Sequence, residues 1–346
     1  MEVYIGIDVS LELSSVCVMD RSGELVHEGK VASEPQALVE FCRSLEHGPT
    51  LVGLEAGPLS QWLYTGLREA GIEAVLMETR QVKGALKAMP VKTDRRDAQG
   101  MAHLLRMGWF RPVHCKSASS QEARALLTGR KLLVNKARDI ELGIRGILRG
   151  FGLKMGQVSK GRFADRVREL VAGNQMLEQV VEAMLVARDA LRDQLAVLHR
   201  RVLEQVRDDE TCALLMSAPG VGPVTALTYR SAIDDPGRFS SSKQVGPHFG
   251  LTPSKHQSGE RDVDGAISKA GDASVRSALY EAATVLLTRT NGFSTLKSWG
   301  LRVAQRRGMK RAIVATARKL AVILHRMWVD GTPFRFAQGQ QEPAAA

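Results

Sequence analysis

The chain has few aromatic residues and few cysteines. Phe, Trp and Tyr make up 5% of its 346 residues, which disfavours base stacking as the main mode of nucleic-acid recognition. Its four cysteines, Cys17, Cys42, Cys115 and Cys212, lie far apart and form no Cys-x-x-Cys pair. This spacing argues against a structural zinc site and favours a reducing compartment, with the thiols in the core.

Long apolar runs are missing as well. No stretch approaches the roughly 20 apolar residues that span a bilayer, and residues 1–20 lack the pattern of a cleavable signal peptide. We therefore expect a soluble, cytoplasmic protein with no membrane partner. At 346 residues and 44% hydrophobic composition, we also expect two or more domains.

Acidic residues are outnumbered, and the imbalance is uneven along the chain. There are 48 basic and 37 acidic residues, a formal net charge of +11. Residues 1–115 hold 12 basic and 15 acidic residues, whereas residues 116–346 hold 36 and 22. A basic body joined to an acidic module suits a protein that holds a polyanion, most commonly nucleic acid, with one part and acts on it with another. A basic surface kept for solubility is the alternative.

The hydrophobic period over the first 115 residues predicts the element order βββαβαβα. This is the order of the RNase H-like fold, in which a central strand and its neighbour present carboxylates at one end of a mixed sheet. The predicted strands are Val3–Val9, Ser14–Asp20, Glu24–Ala32, Thr50–Ala56 and Glu73–Glu78, and the predicted helices are Pro35–Leu45, Leu59–Ala70 and Arg80–Ala88.

Four carboxylates stand at positions where this fold would gather them. Asp8 ends the apolar Tyr-Ile-Gly-Ile run, Glu55 ends Leu-Val-Gly-Leu, and Asp94 and Asp97 open a predicted helix with a three-residue spacing that puts them on one face. Buried acids need a cation to offset their desolvation, and a divalent metal is a common one. Taken singly, Asp94 could be a helix cap and Asp97 a solvated ion-pair partner.

Sugar kinases and actin-like ATPases begin with a similar strand and Asp. They follow the Asp with a Gly that lets the backbone approach phosphates, but Val9 stands at that position here and no later glycine-rich loop replaces it. The sequence therefore disfavours a kinase.

Residues 121–212 have long helical patterns. The apolar residues Leu177, Met184, Leu191 and Leu198 recur every seven residues, and Val181, Leu195 and Val202 occupy the second seam position, interrupted by Arg188. This pattern predicts a coiled coil of about four heptads that joins protomers, with a helix hairpin inside one chain as the alternative.

The segment Ala218-Pro-Gly-Val-Gly-Pro223 predicts a sharp turn between two helices. Its glycines leave backbone N–H groups open to a phosphate, as in a helix-hairpin-helix element, and a purely structural hairpin is the alternative. Farther on, Arg302–Arg326 contains eight basic residues and no acid and predicts a basic amphipathic helix for nucleic acid.

The stretches Phe249–Arg261, which contains Gln-Ser-Gly, and Gly265–Asp272, together with the four acids, resemble one family closely. The chain is similar to transposases of the IS-one-ten family, bacterial insertion-sequence recombinases that are guided by a bridge RNA. The resemblance covers nearly the whole chain, and its combination of motifs is specific. It implies an α/β plus α architecture: a RuvC-like (RNase H-like) domain at 1–115, a helical coiled-coil region at 116–210, a serine-bearing, mostly helical transposase domain at 211–336 and a disordered tail at 337–346.

The resemblance also implies the site and its partners. Asp8, Glu55, Asp94 and Asp97 match the family's four Mg²⁺-binding acids, and Ser258 matches its nucleophilic serine. Relatives commonly have Ser-Ser-Gly-Gly there, and Gln257 replaces the first serine, so Ser258 is the only candidate in that register. Ser254 and Ser268 are the fallback candidates.

The implied partners are donor and target DNA, a bridge RNA and further copies of the chain in a homodimer or homotetramer, near the bacterial nucleoid. Two other functions stay open: a metal-dependent Holliday-junction nuclease in which Ser258 is structural, and an architectural nucleic-acid binder without enzymatic activity.

Overall fold

The computed structural model describes residues 2–87 and 93–336, which belong to two compact units, Met1–Lys116 and Ser117–Ala346. The tail predicted at 337–346 lies outside the described residues. The further division of the second unit at residue 210 stays a prediction. Among the described residues, no helix combines the length and the apolar character needed to cross a membrane.

The first unit is a five-stranded mixed sheet with helices. Its strands are Val3–Asp8 (β1), Leu13–Asp20 (β2), Leu25–Ala32 (β3), Leu51–Glu55 (β4) and Ala74–Met77 (β5). Its helices are Pro35–Ser44 (α1), Ser60–Glu69 (α2), Thr79–Leu86 (α3) and Asp94–Arg106 (α4). The predicted element order is confirmed, and the ends of these elements differ from the prediction by at most one residue. The predicted end of the third helix, Ala88, lies outside the described residues.

The sheet has the order β3-β2-β1-β4-β5. The central strand β1 pairs antiparallel with β2 and parallel with β4, and β4 pairs parallel with β5. The carboxyl ends of β1, β4 and β5 therefore meet at one edge. Because side chains alternate along a strand, Ile5 and Ile7 face the core formed with α1 and α2, whereas Gly6 and Asp8 face the opposite side.

Helix α4 lies on that opposite side and approaches the sheet through two glycines. Gly6 of β1 pairs with Gly53 of β4. A Cβ placed on Gly6 would lie 2.2 Å from the carbonyl oxygen of Ala98, and one on Gly53 would lie 2.6 Å from a methyl of Leu105. The helix backbone thus rests directly on β1. Since the earlier residue Ala98 lies over Gly6 and Leu105 packs near Leu51 at the start of β4, the N-terminus of α4 points to the carboxyl ends of the strands.

The second unit is mostly helical. Its helices are Ala118–Gly150 (α5), Phe163–Val171 (α6), Gln175–Arg207 (α7), Glu210–Met216 (α8), Pro223–Ile233 (α9), Val245–His248 (α10), Ala273–Thr288 (α11), Thr295–Arg307 (α12) and Met309–Asp330 (α13). Helix α9 is buried along nearly its whole length and packs with α11 and α13 in the main core.

The long helices α5 and α7 pair antiparallel within the chain. The pairing explains the Arg that interrupts the heptads of α7. Arg188 is 2% exposed, its Nε donates to Oε1 of Glu141 on α5 at 2.7 Å, its Nη1 donates to Asp189 at 2.7 Å, and its guanidinium lies 4.9 Å from the centre of the Phe163 ring. A buried charge is tolerated where its donors are satisfied in this way.

Two features of the second unit were not predicted. Residues Pro253–Ser258 (β6) and Arg261–Ile267 (β7) form an antiparallel hairpin inside the otherwise helical unit. The basic stretch 302–326 is not one helix, because Gly308, at φ +82°, separates α12 from α13.

Candidate functional site

The four predicted acids line one cavity of about 850 Å³ in the first unit. Asp8 is the last residue of β1 and Glu55 the last residue of β4, and these neighbouring parallel strands end side by side. Asp94 and Asp97 lie in the first turn of α4. The structure therefore brings together residues that are up to 89 positions apart in the sequence.

Local interactions fix where α4 begins. Thr93 is the N-cap, and its Oγ1 accepts a hydrogen bond from the backbone N–H of Arg96 at 3.3 Å. This confirms the predicted helix start. Arg95 forms an ion pair with Glu28 of β3, which ties the first turn of the helix to the sheet. The partial positive charge of the helix N-terminus lies beside the carboxylates and reduces their mutual repulsion.

Two lysines, one on α3 and one directly after its last residue, enter the same cavity. Lys83 and Lys87 line it, and the Lys83 ammonium lies 3.8 Å from Oε1 of Glu55, whose side chain is 24% exposed. The sequence interpretation missed both lysines. The only sequence signal for these lysines is their position, on or directly after the helix that follows β5, the strand next to β4 and Glu55.

The donor set of the cavity is all carboxylate oxygen, the ligand type that Mg²⁺ and Ca²⁺ prefer. Within residues 2–87 and 93–336, however, no three acidic, His or Cys side chains converge closely enough to form a metal cluster. The residues fit a divalent cation in chemistry and in shared location. The carboxylate side chains must rotate to coordinate one ion together. Asp94 is exposed, and Asp8 and Asp97 are half-buried.

Ser258 lies in the second unit. It is the last residue of β6, exposed, and paired in register with Arg261 across the Gly259-Glu260 turn of the hairpin. The two other candidate serines are engaged near the hairpin base. Ser254 Oγ donates to the carbonyl oxygen of Ala266 at 3.1 Å, and Ser268 Oγ accepts from the N–H of Ala270 at 3.4 Å.

These features define a class of protein: a nucleic-acid-processing enzyme with carboxylates at the edge of an RNase H-like sheet and a basic, helical second unit. The profile of the Transposase IS116/IS110/IS902 family matches residues 212–298, and the IS110 DEDD transposase profile matches residues 5–152. The chain belongs to this transposase family, the IS-one-ten family that its motifs resemble, and it is a DNA transposase.

Transposases from other bacteria are similar to this chain over most of its length. The chain is 31% identical to the transposase for insertion sequence element IS1111A of Coxiella burnetii, over 92% of this chain and 88% of that one. It is 29% identical to the putative transposase y4pF/y4sB of Sinorhizobium fredii, over 85% and 76% of the two chains. It is 27% identical to the probable family 20 transposase of Pseudomonas aeruginosa, over 96% and 98%.

Among solved structures, T. thermophilus RuvC in complex with Holliday junction substrate matches 33% of this chain and 100% of its own, at 19% identity and a TM-score of 0.26.

Proposed function

We propose that this transposase cleaves, exchanges and rejoins DNA strands under the guidance of a bridge RNA, through a covalent serine–DNA intermediate assisted by Mg²⁺. The observation that carries the proposal is the convergence of Asp8, Glu55, Asp94 and Asp97 on one cavity. Such a set of acids is expensive to assemble unless it holds a cation.

The four carboxylates are the proposed Mg²⁺ ligands. When bound, the metal supplies stabilisation of the charge that develops on the attacking and leaving oxygens of the phosphate. Lys83 neutralises part of the carboxylate charge before the ion arrives. Lys87, on the same wall of the cavity, is placed to attract the DNA phosphate.

Ser258 is the proposed nucleophile. Its Oγ attacks the scissile phosphorus, an Oγ–P bond forms, the P–O bond to the leaving deoxyribose oxygen breaks, and the serine proton is transferred to that oxygen. The resulting phosphodiester conserves the bond energy, so a hydroxyl of another strand can rejoin by the reverse step without ATP. The exposed position of Ser258 at a hairpin tip supports this role, because a nucleophile must reach a phosphate in a duplex or at a junction.

Nucleic-acid backbone binding is proposed for the turn between α8 and α9. Gly220 has φ +86°, and a Cβ there would lie 2.4 Å from the carbonyl oxygen of Ala282, so this side of the turn packs on α11. Gly222, the N-cap of α9, faces open space. The open side supports a helix-hairpin-helix contact with a phosphate of DNA or of the bridge RNA.

Self-association as a homodimer or homotetramer is proposed through the helical region. Part of the predicted seam of α7 is covered by α5 of the same chain, which buries Leu177 and Val202. Other apolar side chains of α7 stay exposed, among them Met176 at 67% and Val186 at 62%. These exposed apolar side chains support an apolar contact between copies.

The test is a denaturing gel of the purified protein with flanking-element RNA, Mg²⁺ and labelled donor and target DNA. A protease-sensitive protein–DNA adduct is expected in the wild type and should disappear in Ser258→Ala. Ser254→Ala is the matched control, because it removes the same group from the base of the same hairpin. We expect Asp8→Ala to retain DNA binding and lose cleavage.

The outcomes separate the alternatives. Cleavage without an adduct, unaffected by Ser258→Ala, indicates a metal-dependent nuclease. Full recombination by Asp8→Ala would refute both enzymatic mechanisms, and binding without cleavage in the wild type indicates an architectural protein. If the reactions proceed equally well without RNA, the proposal of guidance by a bridge RNA is wrong.

A further inference from the structure

A second cavity, the groove, lies in the second unit, between the base of the β6–β7 hairpin and one face of α13. Its volume is about 1300 Å³. The hairpin contributes Pro253 and Ile267, which pair with each other at its base, and α12 contributes Trp299. The groove is remote in sequence from the carboxylates, and nothing in the transposase reaction described above requires it.

Helix α13 lines the groove with side chains at positions 310, 311, 314, 315, 318, 319, 322 and 323. This repeat of two residues every four places them on one face of the helix. Apolar pairs alternate with basic pairs along this face, and the apolar Val314, Val322 and Ile323 are half-buried rather than covered. An uncovered apolar floor in a concave surface indicates a ligand that has an apolar part.

The rim of the groove is strongly basic. Five cations line it, namely Lys243, Lys310, Arg311, Arg318 and Lys319, against the single acid Asp264. None of the five forms an ion pair with another residue in the described part of the chain. Uncompensated like charges around an apolar floor repel one another, so a bound polyanion would stabilise the arrangement.

One cation covers the aromatic ring of the groove. The Lys319 ammonium lies 3.9 Å from the centre of the Trp299 ring, a cation–π contact that holds this lysine at the rim. Because Lys319 covers this face of the Trp299 ring, the apolar part of a ligand would contact mainly aliphatic side chains.

We propose that the groove binds an unpaired segment of DNA, with phosphates on the cationic rim and sugars and bases on the aliphatic floor. A duplex turns its phosphates outward and keeps its bases stacked inside, so it cannot reach the floor of a groove of this size. A single strand can present both groups at once. The proposal rests on the proposed strand exchange, which produces unpaired DNA.

The hairpin connects the groove to the proposed nucleophile. Pro253 and Ser258 are the two ends of β6 and lie about 16 Å apart, five residue steps at roughly 3.3 Å each. A strand held at the hairpin base is thus a few nucleotides from Ser258 at the tip. The groove would keep a cleaved strand near the serine while its partner exchanges.

Binding is measured by fluorescence anisotropy on the full chain in EDTA, where the metal-dependent reaction is blocked, with labelled dT12, a 12-base-pair duplex and rU12. The test variant is Lys310→Ala/Arg318→Ala. The matched control is Arg289→Ala/Arg335→Ala, which removes two exposed arginines of the same unit that do not line the groove. We expect the test variant to bind dT12 at least about 10-fold more weakly and the control to stay within about 2-fold of the wild type.

Two further measurements are the salt dependence of dT12 binding and the effect of substitutions in the apolar floor of the groove. Loss of two phosphate contacts should reduce the slope of log K against log salt by about 1.4, at about 0.7 per contact for single strands. Val314→Thr/Val322→Thr keeps the shape and charge of the groove, so it should weaken dT12 binding by about 3-fold or more with an unchanged slope. Circular dichroism checks that each variant is folded.

Several results would overturn the proposal. Equal losses in the test and control variants indicate diffuse electrostatic binding, and an equal loss for the duplex excludes strand selectivity. A selective loss of rU12 binding with dT12 unaffected assigns the groove to RNA instead. Binding in EDTA does not depend on the chemistry of Ser258. A negative binding result therefore does not affect the adduct experiment, and a negative adduct experiment does not affect the binding result.

Discussion

Substitution of Gly6 tests how the fold assembles the carboxylates. Gly6 lies two residues before Asp8 on the same face of β1, directly under α4. A Cβ at this position would lie 2.2 Å from the carbonyl oxygen of Ala98 and 2.5 Å from the backbone nitrogen of Ala102. Both obstacles are backbone atoms of a helix, so neither can rotate away. Gly6→Ala must therefore push α4 off the sheet.

The size of the effect follows from the distances. Ordinary carbon–oxygen contact begins at 3.4 Å, so α4 has to move by about 1 Å. Overpacking of this kind costs about 1–3 kcal/mol, and we expect about 3 kcal/mol because backbone is involved. Asp94 and Asp97 move with the helix, and a displacement of about 1 Å at a reacting centre costs about 100-fold in rate.

Two other glycines form a graded series with Gly6. At Gly53 the nearest atoms belong to flexible side chains, a methyl of Leu105 and the sulfur of Met77, so Gly53→Ala should cost about 1 kcal/mol. At Gly84, inside α3, a Cβ meets nothing within 4 Å, and alanine should stabilise the helix by about 0.5–1 kcal/mol.

The assay combines hydrogen exchange, which reports the stability of β1 and α4 peptides separately from the second unit, with strand cleavage at a temperature where all variants are folded. We expect protection and cleavage to fall in the order Gly84→Ala, wild type, Gly53→Ala, Gly6→Ala. A Gly6→Ala protein with wild-type protection and wild-type cleavage would falsify the close approach of α4 as the basis of the site.

Three further predictions concern charge and stability. Lys83→Met removes the ammonium 3.8 Å from Glu55, so Mn²⁺ should bind about 3–10-fold more tightly by isothermal titration; weaker binding would contradict the reasoning. Ser117 is the N-cap of α5, and Asp234→Ala removes the acceptor of its N–H and O–H, at 2.9 and 2.5 Å. Urea unfolding should therefore show a loss of about 1–2 kcal/mol, and no loss would contradict a stabilising role of Asp234 at this cap. Burial raises the pKa of the Cys42 thiol from its ordinary 9.0 to about 12, so the unfolded state loses its proton first. The free energy of unfolding should be insensitive to this thiol below pH 9 and then fall by up to about 1.4 kcal/mol per pH unit between pH 9 and 12; a Cys42→Ala variant lacking that extra slope is the check.

The order of the strands and helices in the first unit could be predicted from the sequence because their signals are local. Alternating and continuous apolar runs locate β1 to β5, and Thr93 with the acids after it locates the start of α4. Asp8 and Glu55 were also recognisable as candidates, since a carboxylate at the end of an apolar strand is costly without a cation, and Asp94 and Asp97 were recognisable by their three-residue spacing at a helix start. The motifs around Ser258 were sufficient to identify the family, because matching residues at fixed spacings can be read without knowing how helices and strands pack.

What the sequence could not supply is the packing between distant segments. The use of Gly6 and Gly53 as a platform for α4 depends on a helix about 90 residues later in the chain. The entry of Lys83 into the acidic cavity and the pairing of α7 with α5 likewise depend on long-range contacts.

In the second unit, the apolar period of α13 predicts a buried face but does not say that part of it remains uncovered beside the β6–β7 hairpin. Local sequence determined the elements, the acids and the family of this protein. Tertiary structure alone decided which side chains share a cavity, because that choice is made by the fit of surfaces and not by the period of any one segment.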